Sequence, residues 1–198
     1  MNCQEHPSQG GRPRDPGVER RILEVTLRLL QEQGFARMSV DTVAEAAAVS
    51  KPTIYRRWTG KADLATAALE LLRVSEPAHP GAEGIERLRV VLQNFRKSLL
   101  RPNGLSLIGT VLAEEQHTPE LLALFRKRVV EPRRAMISAA LAEAQRIGEL
   151  EVAADLEVLV NLLVGSFYAR YLSGEPIGPR WVDRIIDAVV PVRRTLQL

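Results

Sequence analysis

The stretch from Ser39 to Trp58, SVDTVAEAAAVSKPTIYRRW, holds two helix starts separated by only a few residues. Ser39 can cap a segment in which Val40, Val43, Ala44 and Ala47 recur at i, i+3, i+4 and i+7, the spacing of one helical face. Ala48 and Val49 leave room for a tight turn. Ser50 can then cap a further segment with Pro52 in its first turn, where a missing N–H is harmless. Upstream, VERRILEVTLRLLQEQ from Val18 to Gln33 puts Ile22, Val25 and Leu29 at helical spacing, and Gly34 suits the left-handed position that ends a helix. Two short helices about a tight turn, preceded by a longer one, match a helix-turn-helix.

The third helix and its flank, SKPTIYRRWTGKADL, are rich in hydrogen-bond donors. Ile54 and Trp58 are four apart and share an inward face that can pack on the alanines of the second helix. Lys51, Thr53, Tyr55 and Arg57 are left pointing outward, with ammonium, hydroxyl, phenol and guanidinium groups that suit phosphates and base edges. Lys61 opens the next helix, where a cation opposes the helix dipole unless an anion shares the site. A phosphate would resolve that conflict. The alternative is a solvated basic helix. Charge supports a polyanion partner: residues 1–61 carry ten Lys and Arg against seven Asp and Glu, while residues 62–198 carry seventeen of each.

The run SVDTVAEAAAVSKPTIYRRWTGKADL resembles the DNA-binding domain of TetR-family transcriptional regulators, over about residues 17–74. The resemblance implies a DNA-contact surface of Ser39, Thr42, Ser50, Lys51, Pro52, Thr53, Tyr55, Arg56 and Arg57, with Lys61 as a phosphate anchor. Two positions depart from the family pattern. Ala48 stands where glycine is usual, which costs about 1 kcal/mol if the turn needs a positive φ. Trp58 stands where phenylalanine is commoner and keeps a core role. Ahead of the first helix, GGRPR resembles the arms that enter A·T-rich minor grooves, adding Arg12 and Arg14 to the DNA-contact set; an ordinary tail is the alternative.

Beyond Ser75, SEPAHPGAEG reads as a hinge, and the remainder as helices: residues 85–100, 105–116, a long segment from Thr118 to about Gly148 that Pro132 should kink, 154–173 and 179–196. No alternating β-branched pattern competes. The expected fold is all-α with about nine helices: an arm (1–16), a helix-turn-helix domain (17–77), and a larger effector-binding and dimerisation domain (78–198).

Two helices of the larger domain carry unusually broad apolar surfaces. The resemblance implies that these last two helices pair with those of a second subunit, through Val160, Leu163, Val164, Gly165, Trp181, Ile185 and Val189, giving a homodimer that spans two half-sites of a near-palindromic operator. It also implies a cavity for a small apolar effector. Candidates to line it are Phe95, Leu107, Ile108, Val111, Phe125, Met136, Phe167, Tyr168 and Tyr171, with Asn161, Ser166 and the tyrosine hydroxyls as polar groups. The alternatives are a monomer core and a plainly packed interior. His117, in EEQHTPE, reads better as a solvated loop residue.

The chain has 198 residues, 45% of them apolar, enough for a substantial core. Its longest nearly unbroken apolar run, Val158 to Ala169, is too short for the roughly 20 residues a bilayer span needs. Residues 1–16 lack the apolar stretch of a secretory signal, so the expected location is cytoplasmic. The single cysteine, Cys3, excludes an internal disulfide, and three scattered histidines make no metal case. No Gly-rich phosphate loop or nucleophile–base set is present, so the expectation is no cofactor and no enzyme. A ligand-released repressor is the leading reading. An activator of the same family, or an architectural DNA binder without effector, is the alternative.

Overall fold

The computed structural model describes residues 16–73, 76–77 and 79–190. Among these, every regular element is a helix: α1 (Pro16–Arg37), α2 (Val40–Ala46), α3 (Lys51–Tyr55), α4 (Lys61–Glu70), α5 (Gly84–Leu99), α6 (Gly104–Ala113), α7 (Pro119–Phe125), α8 (Glu131–Arg146), α9 (Leu156–Leu172) and α10 (Arg180–Val189). A π-helical segment, Arg126–Val130, fuses α7 to α8 in one rod. Counted as one helix, that rod makes nine among the described residues.

Local chemistry sets the boundaries. Ser39 caps α2 by accepting from the Thr42 N–H at 3.1 Å, and the Thr42 hydroxyl accepts from the Ser39 N–H at 3.1 Å. Gly34 has φ 75°, as expected for a helix end, but the chain resumes helical geometry to Arg37 after this break. Asp155 caps α9 through the N–H groups of Glu157 and Val158. The start of α5 takes its acceptors from a distant segment: Gly84 N–H reaches Glu143 Oε2 at 3.3 Å, and Ile85 N–H reaches Glu149 Oε2 at 2.8 Å. The irregularity expected at Pro132 lies just before it, where the Glu131 N–H bonds back to the Arg126 carbonyl. Widening the preceding turn accommodates the ring and the N–H that proline lacks.

The helices enclose two cores. The first joins α1 to α4 (Ile22, Leu29, Phe35, Val43, Ile54, Trp58, Leu64) to α6, α7 and the π segment (Leu107, Val111, Leu121, Phe125, Val129). The second lies among α5, α8, α9 and α10, with Leu92, Phe95, Leu141, Leu163, Phe167 and Ile186 at its centre. There Phe95 meets the Phe167 ring edge-on at 5.1 Å, and Tyr168 at 6.4 Å.

The turn between α2 and α3 does require a left-handed residue, because Ala48 sits at φ 51°. Ala48→Gly is expected to stabilise the chain by about 1 kcal/mol and raise the melting temperature by roughly 2–4 °C. A thermal melt that stays put or falls would show that the turn tolerates the methyl group.

Candidate nucleic-acid interface

Helix α3 is held against α1 and α2 by Ile54 and Trp58, both buried in the first core. Trp58 follows the helix proper, and its N–H still bonds to the Ile54 carbonyl at 3.0 Å. Arg21, from α1, donates to the Ala47 carbonyl at 3.0 Å and ties the end of α2. Fixing these three helices presents Ser50, Lys51, Pro52, Tyr55 and Arg56 to solvent as one surface. Tyr55 is 54% exposed, a degree unusual for a tyrosine with nothing to cover it.

The polar groups there are organised. Thr53 Oγ1 lies 2.9 Å from Ser50 Oγ and accepts from Arg56 Nη2 at 3.1 Å. Lys51 Nζ pairs with Asp41 Oδ1 of α2 at 2.7 Å, and that hydrogen bond raises the ammonium pKa. So exposed a pair contributes little and can be exchanged for another acceptor. Ser39 and Thr42 are half-buried and occupied with each other in the capping box.

Two residues differ from expectation. Arg57 does not point outward: its side chain is 14% exposed, Nη1 donates to the Thr53 carbonyl at 2.9 Å, and Nε lies 3.9 Å from Glu19 Oε2 on α1. It follows the inward residues Ile54 and Trp58 because the chain turns after Tyr55, so it braces the recognition helix from behind. Lys61 resolves its unfavourable position within the protein, donating to the Ala36 carbonyl at 3.1 Å with its ammonium 4.2 Å from the Phe35 ring centre. The exposed carbonyls at the end of α1 supply the negative potential assigned above to a phosphate. Burial lowers the Lys61 pKa, opposed by the charge of Glu114. Arg12 and Arg14 lie outside the described residues.

Spacing alone did not reveal the groups behind this surface. Asp63, in the first turn of α4, accepts from the Thr59 N–H at 2.6 Å and the Thr59 hydroxyl at 3.0 Å. It also forms an ion pair with Arg128 of the π segment. Arg128 Nη1 donates to the Asp63 carbonyl at 2.9 Å and Thr66 Oγ1 at 3.3 Å. Of the two acids in KADLATAALELL, Asp63 and Glu70, Asp63 stands among apolar residues near the start of the run, and that was the available signal.

The residues expected to line a cavity separate. Leu107, Val111 and Phe125 pack in the first core with Ile108 at its edge, whereas Phe95, Phe167 and Tyr168 belong to the second. Asn161 and Tyr171 are exposed, and Asn161 Oδ1 accepts from Arg134 at 2.7 Å. The Ser166 hydroxyl is used by the Leu163 carbonyl at 2.7 Å, and His117 is exposed. A small cavity of about 10 Å³ lies beside Phe95, Met136 and Arg133. A second of about 10 Å³ reaches Leu107, Ile108, Phe125 and the same Arg133. A wider surface cleft of about 570 Å³ lies at the end of α9 between Arg170, Trp181 and Arg184.

Two of the dimer residues also need correction. Val160 and Leu163 are buried in the second core, because that side of α9 faces α8 and α10. Val164, Trp181, Ile185 and Val189 are half-buried at its margin, and Gly165 is exposed. The uncovered stripe of α9 instead runs through Val158, Leu162, Gly165, Ala169 and Leu172.

Residues 22–68 match the family described as bacterial regulatory proteins, tetR family, and residues 85–189 match the tetracyclin repressor-like C-terminal domain. The chain belongs to the TetR family. It is 37% identical over 188 residues to an uncharacterized HTH-type transcriptional regulator of Mycobacterium tuberculosis, covering 90% of this chain and 91% of that one. It is 31% identical over 196 residues to the uncharacterized regulator YdeS of Bacillus subtilis, covering 95% and 96%. Among solved structures, the TetR family transcription regulator SCO0332 superposes with a TM-score of 0.63 at 25% identity, covering 87% of this chain and 96% of that one. The flavonoid-responsive regulator FrrA gives 0.66 at 22%, covering 88% and 93%, a likeness of fold. As a TetR-family member the chain is a DNA-binding transcriptional regulator, in a family of regulators rather than enzymes. Among the described residues, no helix is long and apolar enough to cross a membrane.

Proposed function

We propose that this chain is a homodimeric, cytoplasmic repressor without enzymatic activity, released from a near-palindromic operator by a small molecule. In this reading residues 17–77 bind DNA, residues 78–198 carry the effector and dimer functions, and residues 1–16, with Arg12 and Arg14, add a minor-groove arm. The observation that carries it is the exposed α3 surface of Lys51, Pro52, Tyr55 and Arg56, set on a buried Ile54–Trp58 base. Lys51, Thr53 and Arg56 address base edges and phosphates, Tyr55 holds phosphate, Lys61 does so with the ammonium donors that its bond to the Ala36 carbonyl leaves free, and Arg57 supports the helix. Repression is supported by a relative from Mycobacteroides abscessus that is called a DNA-binding transcriptional repressor, 29% identical over 174 residues. A small-molecule effector is supported by the fold likeness to the flavonoid-responsive regulator.

A footprint on the DNA upstream of its own gene tests the reading. The expected result is a protected near-palindrome whose half-sites lie about one helical turn apart. Even protection of all sequences would instead favour an architectural binder. Lys61→Ala is expected to weaken operator and random DNA alike and to reduce the salt slope by about one unit. An unchanged slope would take Lys61 out of the interface.

A further inference from the structure

Arg133 occupies an unusual position between the two cores. It lines both small cavities, one shared with Arg73, Val91, Asn94, Phe95 and Met136, the other with Leu69, Leu99, Leu107, Ile108 and Phe125. Its guanidinium lies 5.9 Å from the Phe95 ring centre. Among the described residues, neither its side chain nor that of Arg73 makes a hydrogen bond or ion pair. Glu76, whose carbonyl takes the Asn94 amide at 2.8 Å, has its carboxylate engaged by Lys97. Burial lowers the Arg133 pKa, and the charge of Arg73 adds to this; Tyr168 opposes it only when ionised, and burial raises the pKa of that phenol. A half-buried cation without a carboxylate partner, beside an exposed second cation, is an unfavourable arrangement that an anion would relieve.

We propose that the gap between the two cores binds a small amphipathic carboxylate, its anionic head on Arg133 and Arg73 and its apolar body along Leu99, Leu107, Ile108 and Phe125. This rests on the effector reading and replaces the wholly apolar effector expected from the sequence with a charged one. Each cavity, at about 10 Å³, has room for about one water, so the ligand enters only as the helices part. Val129 lines the second cavity, and its neighbour Arg128 holds Asp63 of α4. Filling the gap therefore displaces the segment that anchors the DNA-binding helices.

The test is calorimetric titration of the full chain with decanoate, with decanol as the same tail without charge, and with sulfate as charge without the tail, all below the concentration at which decanoate aggregates. Decanoate is expected to bind and raise the melting temperature, with decanol and sulfate at least about tenfold weaker. Arg133→Met is expected to lose decanoate while melting no lower than wild type without ligand, because it removes an unpaired cation. Arg73→Met, at a more exposed position, is expected to weaken decanoate while leaving the fold intact. Equal binding of decanol, equal binding of sulfate, absence of decanoate binding, or full binding by Arg133→Met would overturn the proposal. Retention of the footprinted DNA is measured alongside. Decanoate that binds through Arg133 without releasing DNA upholds the anion site and overturns the effector reading alone.

Discussion

Gly165→Arg is expected to yield a monomer that keeps its helical content and loses its operator. On α9 the stripe of Val158, Leu162, Gly165, Ala169 and Leu172 recurs at helical spacing and is left uncovered. Val158 is 49% exposed, Leu162 50% and Leu172 82%. At Gly165 a Cβ would meet nothing within 4 Å and the position is exposed, so an arginine can leave toward solvent in the protomer. Glycine in mid-helix is unfavourable by about 1 kcal/mol relative to alanine, and close approach of a second backbone would account for it. In a two-fold interface the substitution occurs twice, and each buried unpaired charge costs about 3–5 kcal/mol. Sedimentation at micromolar concentration should give twice 22.0 kDa for wild type and 22.0 kDa for the variant. Operator affinity should fall by about 10²–10⁴-fold, because one half-site contact replaces two linked ones. A variant that stays dimeric would exclude Gly165 from the interface. A wild-type monomer would remove the paired helices altogether.

The all-helical fold was legible because several apolar periods open on a residue with a narrow conformational role: Ser39 capping α2, Pro52 in the first turn of α3, Pro119 opening α7. The α3 surface was legible for a related reason, since Ile54 and Trp58 leave few positions facing outward. Arg57 was not, because helical spacing was extended past Tyr55, where the chain turns. For α9, an almost uniformly apolar helix has no pattern to say which side meets its own core. Val160 and Leu163 took that side, and Val158 and Leu162 the open one. The cavity failed for a different reason: shared apolar character does not say which core a residue joins, and Leu107 and Phe95 joined different ones. The Asp63–Arg128 contact spans 65 residues and has no local signature.

That contact supports the second large expectation: Asp63→Asn should destabilise the chain by about 3 kcal/mol, or roughly 6–12 °C for a chain of this size. Asp63 has two roles. Its carboxylate caps the first turn of α4 through Thr59, where a negative charge also suits the helix dipole. It also neutralises Arg128, whose side chain is only 31% exposed and would otherwise be left poorly compensated. Burial acts to raise the Asp63 pKa, but the Thr59 N–H and hydroxyl together with Arg128 outweigh it, and the net shift is downward. The sign follows from linkage. With the folded pKa below the unfolded value of about 3.9, the contribution is complete above that value and is lost as pH falls through the folded pKa. Urea unfolding of wild type and Asp63→Asn should therefore differ most near pH 7 and converge as the solution is acidified below about pH 4. A gap independent of pH would assign the loss to the cap rather than to the charge. The double variant Asp63→Asn with Arg128→Met separates the two roles further. If the ion pair couples α4 to the π segment, removing Arg128 as well should cost less than the sum of the single losses, by about 1–3 kcal/mol. Strict additivity would mean that α4 and the π segment are held together by their apolar packing alone.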